Sequence, residues 1–222
     1  ADDSYFSRTD DSRPGRAYLG VMASGRRKAT MEVRLISALA SLPLAIDMPL
    51  DVRDAYWTLT CYFNAIRELG QCQTLIADDV AGELRSFRYR MGCARQRYLD
   101  EPVELTSRIT SGELNRALGR IESVRYHESV QPDGTCKQDS WPVPLLLASN
   151  MLSVGIDIAR LNVMLMVGQP KLTSEYIQAS SRIGRSVPGL VCVLYDALRS
   201  RDRSYYEQFR SFHETFYRYV EP

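Results

Sequence analysis

Short apolar runs separated by longer amphipathic stretches set the rhythm of this chain. Thr58–Phe63, Pro102–Thr106, Val143–Ala148, Val163–Val167 and Leu190–Tyr195 are mostly unbroken by charge, and several are β-branched. That pattern predicts strands buried on both faces. Tyr18–Met22 predicts one more short strand. Between the runs the apolar spacing turns helical. In Thr30–Leu42, Met31, Leu35, Ala38, Leu39 and Leu42 share one face, and Pro43 and Pro49 are expected to end that helix. Further helices are predicted over Ala65–Ala77, Gly112–Ile121 and Thr173–Ile183, the middle one opened by a Thr110/Glu113 capping box. Strands alternating with helices predict an α/β fold of βαβ units, a parallel sheet flanked by helices.

Three stretches stand outside this rhythm. Residues 1–17 are polar and end in the breaker cluster Arg13-Pro14-Gly15-Arg16, so they are expected to form a flexible arm ahead of one domain over 18–222. Residues 85–100 are expected to be an insertion on the rim of the sheet. Their Arg85, Arg88, Arg90, Arg95 and Arg97, interleaved with Phe87, Tyr89 and Tyr98, suit an added nucleic-acid or protein surface. Residues 203–219 predict a C-terminal helix whose stripe of Tyr205, Phe209, Phe212, Phe216 and Tyr219 reads first as packing and second as base stacking.

Composition narrows the class. The 222 residues are 25% charged and 45% hydrophobic with a formal net charge of +1, so any nucleic-acid binding must be local rather than a property of the whole surface. No run reaches the roughly 18 apolar residues of a membrane span, and the Ala-Asp-Asp-Ser opening carries no signal segment. The five cysteines form no C-x-x-C pair, which points to a reducing cytoplasm. An opening without Met and an end at Pro222 just after the aromatic stretch suggest part of a longer polypeptide.

In an open parallel sheet, ligands meet the loops that follow the strands. The loop Ser149-Asn150-Met151-Leu152-Ser153-Val154-Gly155-Ile156-Asp157-Ile158 offers two hydroxyls, a glycine and a carboxylate between two isoleucines. Asp157 reads either as a turn cap or as the acceptor of a ribose hydroxyl. After the next strand, Gln178, Arg182 and Arg185 stand at i, i+4 and i+7. If the helix holds through Gly184 they share one face, either merely solvated or a pair of guanidinium forks matched to phosphate.

Together, S-N-M-L-S-V-G-I-D-I and Q-A-S-S-R-I-G-R, one strand apart, resemble motifs V and VI of superfamily 2 helicases. The resemblance spans Thr58–Tyr195 and implies the second of two RecA-like domains. It further implies that Arg182 and Arg185 reach the triphosphate of ATP, Arg185 as the arginine finger. Gln178 would couple the nucleotide and nucleic-acid sites, and Gly155 and Asp157 would lie near the ribose. Ser149 and Asn150 would meet the nucleic-acid backbone, DNA in the first instance, in single- or double-stranded form. More weakly, Thr60–Asn64 looks like motif IV, which places Asn64 at that backbone, and Thr106-Ser107-Arg108 looks like a further backbone-touching loop. Mg²⁺ and most nucleotide contacts would belong to an upstream RecA-like domain, with protein partners besides. The G-Q-P-K segment, E-Y-I-Q-A-S-S-R-I-G-R and the D-R-S-Y-Y-E-Q-F-R-S-F-H tail look like a bacterial subfamily that includes the helicase subunit of DISARM anti-phage systems.

Departures and rivals bound this reading. Ala159 replaces a proline common after motif V. Gly20–Gly25 offers half of a phosphate loop, but Arg26-Arg27 stand where Lys and Ser/Thr are required, and no metal-binding D-E-x-H segment occurs. His213-Glu214 lacks the second histidine of a zincin because Tyr217 takes its place, His127 reads as a loop residue, and Asp78-Asp79 reads as a solvated turn. A hydrolase triad, a kinase and a dehydrogenase all lack their motifs. The remaining rival is a RecA-like scaffold without catalysis, which would have no need of Gln178, Arg182, Arg185 and Asp157 together.

Overall fold

A computed structural model describes residues 15–149 and 158–217. Six strands form one parallel sheet: β1 (Arg16–Met22), β2 (Leu59–Phe63), β3 (Val103–Leu105), β6 (Leu145–Ala148), β7 (Val163–Val167) and β8 (Gly189–Tyr195), in the order β1-β8-β7-β2-β6-β3. A separate antiparallel hairpin joins β4 (Glu128–Val130) to β5 (Cys136–Gln138).

Strands β7, β2 and β6 are buried at every position because both faces are covered, and alternate residues of the sheet enter two cores. Leu59, Cys61, Phe63, Leu145, Leu147, Leu165, Cys192 and Leu194 point to the first core. There they meet α1 (Lys28–Ala45) and the run formed by α3 (Ile66–Leu75), a π-helical segment (Ile76–Val80) and α4 (Ala81–Met91). Tyr62, Leu146, Met164, Met166, Val191, Val193 and Tyr195 point to the second core, under α5 (Ser111–Ser123) and α6 (Thr173–Ser180). Helices α7 (Ser200–Glu207) and α8 (Phe209–Thr215) close that side. A short α2 (Leu50–Ala55) precedes β2.

The α/β sheet and the capping box match the expectation: Thr110 accepts from the Glu113 amide while the Glu113 carboxylate accepts from the Thr110 amide. Several boundaries differ. Strand β1 starts at Arg16, inside the expected arm, because it pairs in parallel with β8 from Arg16↔Gly189 onward. Helix α1 runs through Pro43 to Ala45. The proline sits in the last turn, the Ile46 amide still reaches the Leu42 carbonyl, and Arg53 takes up the Pro43 carbonyl at 2.9 Å. Residues 85–91 of the expected insertion are helical. They finish α4, whose Leu84 is buried and which packs on α1. It ends where Gly92 takes a φ of +64°. Asp78 and Asp79 are exposed, on the π-helical segment rather than in a turn.

The expected single helix over 203–219 is two helices bent at Gln208. Four residues of its aromatic stripe are packing: Tyr205, Phe209 and Phe212 lie against the second core and Phe216 is part of it, while Tyr219 lies outside the described residues. Gly20 belongs to this packing. A Cβ there would stand 2.8 Å from the Phe209 ring, so the first glycine of the half phosphate loop makes room for an aromatic side chain in the middle of β1.

Candidate functional site

Because the strands are parallel, their carboxyl ends share one edge of the sheet and their amino ends the other. The expected site residues divide between the two. On the carboxyl edge, the Ser149 amide donates to the Leu105 carbonyl at 3.3 Å, which ties the start of the loop after β6 to the end of β3. Ser107 and Arg108 are exposed there, and Ser149 is nearly buried.

Two of the expected residues are engaged within the protein at this edge. Thr106 is fully buried; its hydroxyl donates to Glu104 at 2.5 Å and accepts from the Arg108 amide at 3.3 Å, so it shapes the loop. Asn64 aims its amide at the carbonyls of Val167, Gly168 and Gln169 at 3.4, 3.2 and 3.5 Å. That donor secures the turn after β7, where Gly168 has a φ of +85°. Asn150, Gly155 and Asp157 lie outside the described residues.

The arginines occupy the opposite edge. Helix α6 runs back from the carboxyl end of β7 and stops at Ser180, so Gln178, Arg182 and Arg185 do not form one helical face. Gln178 is exposed on the helix, and Arg182 and Arg185 belong to a loop that leads into the amino end of β8. The loop is built by close approach. Gly184 has a φ of +69°, and a Cβ on it would stand 2.6 Å from the Gly189 amide nitrogen. Its own amide donates to the Leu161 carbonyl at 3.0 Å, and Ser186 donates to the Ala159 carbonyl at 2.9 Å. Motif VI is thereby docked on the residues that follow motif V. The Arg16 guanidinium caps the end of α6 by donating to the carbonyls of Ser181 and Ile183. Arg185 is exposed, with Nε 3.4 Å from the Ser181 carbonyl. From Tyr176 to Leu190 the sequence holds no carboxylate.

Sequence reasoning missed a buried ionic layer beneath this edge. Arg160 donates to the Asp54 carboxylate and to the carbonyls of Ile121 and Val124, and Asp54 also accepts from Arg125 and the Tyr126 amide. Glu128 pairs with both Arg53 and Arg95, which hold its carboxyl below the usual range together with the Tyr126 hydroxyl. No local pattern marks these pairs, but Gln131-Pro132-Asp133-Gly134 is a turn signal that would have revealed the hairpin carrying Glu128. Among the described residues no group of three His, Cys, Asp or Glu is placed to hold a metal, and no helix is long and apolar enough to cross a membrane.

A six-stranded parallel sheet flanked by helices is the fold of RecA-like helicase C-terminal domains. Residues 109–187 match the helicase conserved C-terminal domain. Over this stretch the chain resembles a superfamily 2 helicase C-terminal domain, and its similarity to a DISARM protein extends along nearly all of it. It is 39% identical to the DISARM protein DrmA of Bacillus paralicheniformis over 225 aligned positions, 99% of this chain and 19% of that protein. Its structure is similar to that of the DUF1998 helicase MrfA bound to DNA, with a TM-score of 0.53 and 15% identity, covering 90% of this chain and 22% of that one. It is also similar to the Mycobacterium smegmatis helicase Lhr bound to ssDNA and AMP-PNP, with a TM-score of 0.53 and 11% identity, covering 94% and 22% of the two chains. The chain therefore spans about a fifth of each of these relatives.

Proposed function

We propose that this chain is the moving half of an ATP-dependent DNA helicase or translocase of the cytoplasm. In this reading Arg182 and Arg185 reach ATP held by an upstream RecA-like domain, while the opposite edge grips the nucleic-acid backbone. The observation that carries it is the division of the site: the arginine loop and the Ser107, Arg108 and Ser149 loops are separated by the length of the sheet. Five residues of β7 make that about 16 Å. One rigid layer can then face a nucleotide with one edge and a strand with the other.

ATP with Mg²⁺ supplies the phosphoryl group and the free energy of its transfer. The chain's own contribution is two guanidiniums set against transition-state charge, effective only when the cleft between the domains closes. Gly184 and the Arg16 cap hold the loop in shape before closure, so little reorganisation accompanies it. Gly155 and Asp157 would lie beside the ribose and Gln178 would relay closure toward the strand. Ser149, Asn150, Ser107 and Arg108 would hold phosphates without reading bases. Because both edges belong to one sheet, closure at the nucleotide moves the gripped strand relative to the upstream domain. Mg²⁺ would be held by that domain.

Arg185→Ala in the intact parent protein is expected to lower ATP turnover about 10³-fold while DNA affinity stays within a few-fold. Steady-state hydrolysis and fluorescence-anisotropy titration check the two halves. Near-normal turnover would sink the assignment of the arginine finger and leave the scaffold reading in its place.

A further inference from the structure

A cavity of 700 Å³ opens at the amino-terminal edge, beneath the starts of β2 and β6 and the loop that follows α4. Its floor is Arg97, only 3% exposed, whose guanidinium carbon lies 3.4 Å from the centre of the Trp57 ring. Tyr126 stacks on the same indole with ring centres 4.1 Å apart. Among the described residues Arg97 makes one hydrogen bond, from Nη2 to the Trp57 carbonyl at 2.7 Å; its Nε has none and no carboxylate pairs with it. Burial pushes the group down to about 9, which still leaves it cationic at neutral pH.

A buried cation without a counter-ion is costly, and an anion entering the cavity would offset that cost. The walls are close to neutral, Asp100 standing among them with Arg88, so the cationic character is that of the floor. Arg88 spends its donors on the neutral carbonyls of Cys93 and Ala94, whereas Arg95 and Arg120 are matched by Glu128 and Glu101. At the mouth stand Trp141, 63% exposed, and Tyr98, 62% exposed, neither with a ring contact among the described residues. Two open aromatic faces above a cationic floor are complementary to a base joined to a phosphate. The volume suits one nucleotide.

We propose that this cavity binds a nucleoside phosphate, free or at the end of a single strand, with the base on Trp141 and Tyr98 and the phosphate toward Arg97 and Arg88. The site is separate from the arginine loop yet adjoins it. Tyr56, the neighbour of Trp57 in the chain, donates to the Pro188 carbonyl at 2.6 Å.

The test is calorimetric titration of the chain with adenosine 5′-monophosphate and with a 5′-phosphorylated oligothymidylate. Saturable binding is expected. Trp141→Ala and Tyr98→Ala should each weaken it about tenfold, the loss of one stacked base, while thermal melting stays unchanged. Arg97→Met, checked for folding by circular dichroism, should abolish it. Arg185→Ala should leave it unaltered, which keeps the result independent of the proposed arginine finger. An oligonucleotide at least tenfold tighter than the monophosphate assigns a strand end, and equal or weaker binding assigns the free nucleotide. The proposal is overturned if neither probe binds, if the aromatic variants bind normally, or if Arg185→Ala abolishes binding. It is equally overturned if tetraglutamate displaces both probes at lower concentration, since the cavity would then be a seat for an acidic peptide.

Discussion

Asp54 and Arg160 show how much a single buried pair can carry. Arg160 is 6% exposed and joins the residues after motif V to α2 and α5 through one carboxylate and two carbonyls. Removing the carboxylate leaves a buried guanidinium on neutral partners. Asp54→Ala is therefore expected to cost about 3–5 kcal/mol, and Asp54→Asn less because an amide oxygen still accepts. The midpoint of urea unfolding measures both; equal stability of Asp54→Ala and the parent chain would show the pair to be dispensable. Glycines teach a different lesson at the same scale. Gly20 and Gly184 both stand in motif-like strings, but Gly20 admits the Phe209 ring whereas Gly184 shapes the arginine loop. Nothing in the strings themselves separates those two uses, since each depends on what approaches the missing Cβ.

Among the elements, α5 was the most legible because its start is local: Thr110 and Glu113 bond each other three residues apart. The strands were legible because unbroken apolar runs have few other uses. Helix α6 was read too long, since its end is imposed by Gly184 docking on Leu161 and by the Arg16 cap from β1. The bend between α7 and α8 likewise follows from a distant partner, the face of β1 at Gly20. In α8, His213 sits among Tyr18, Tyr176, Phe209, Phe212 and Phe216, with Nδ1 at the Phe209 carbonyl and Nε2 at the Tyr176 hydroxyl. Those partners suit a neutral ring that donates from Nδ1 and accepts at Nε2. Burial pushes its pKa below the ordinary 6.5. The unfolded chain thus takes up the proton first as the pH falls, so stability is full above about 6.5 and declines below it. Thermal midpoints at pH 7.5 and pH 5.5 are expected to differ in that direction, and His213→Phe to narrow the gap. An unchanged gap would move the effect to other groups.

At the scale of the whole molecule, the proposed division of labour between the two edges of the sheet predicts a domain that is inert alone. ATP hydrolysis should appear only when this chain is joined to the upstream RecA-like domain, and single-stranded DNA should accelerate it. Turnover by this chain unaided would overturn the division of labour proposed above, and a joined form that stays inert would favour a scaffold. The parallel α/β layering and the motif V and VI strings could be read directly from the residues, because apolar periodicity, capping and close-set motifs are short-range properties. The edge on which each motif stands could not. That depends on strand direction and on where α6 stops. Nor could the Arg97–Trp57 stack or the Arg160–Asp54 pair, whose members lie 40 and 106 residues apart. A buried charge finds its partner through the packing of layers, and no periodicity along the chain encodes a contact that only the closed sheet brings together.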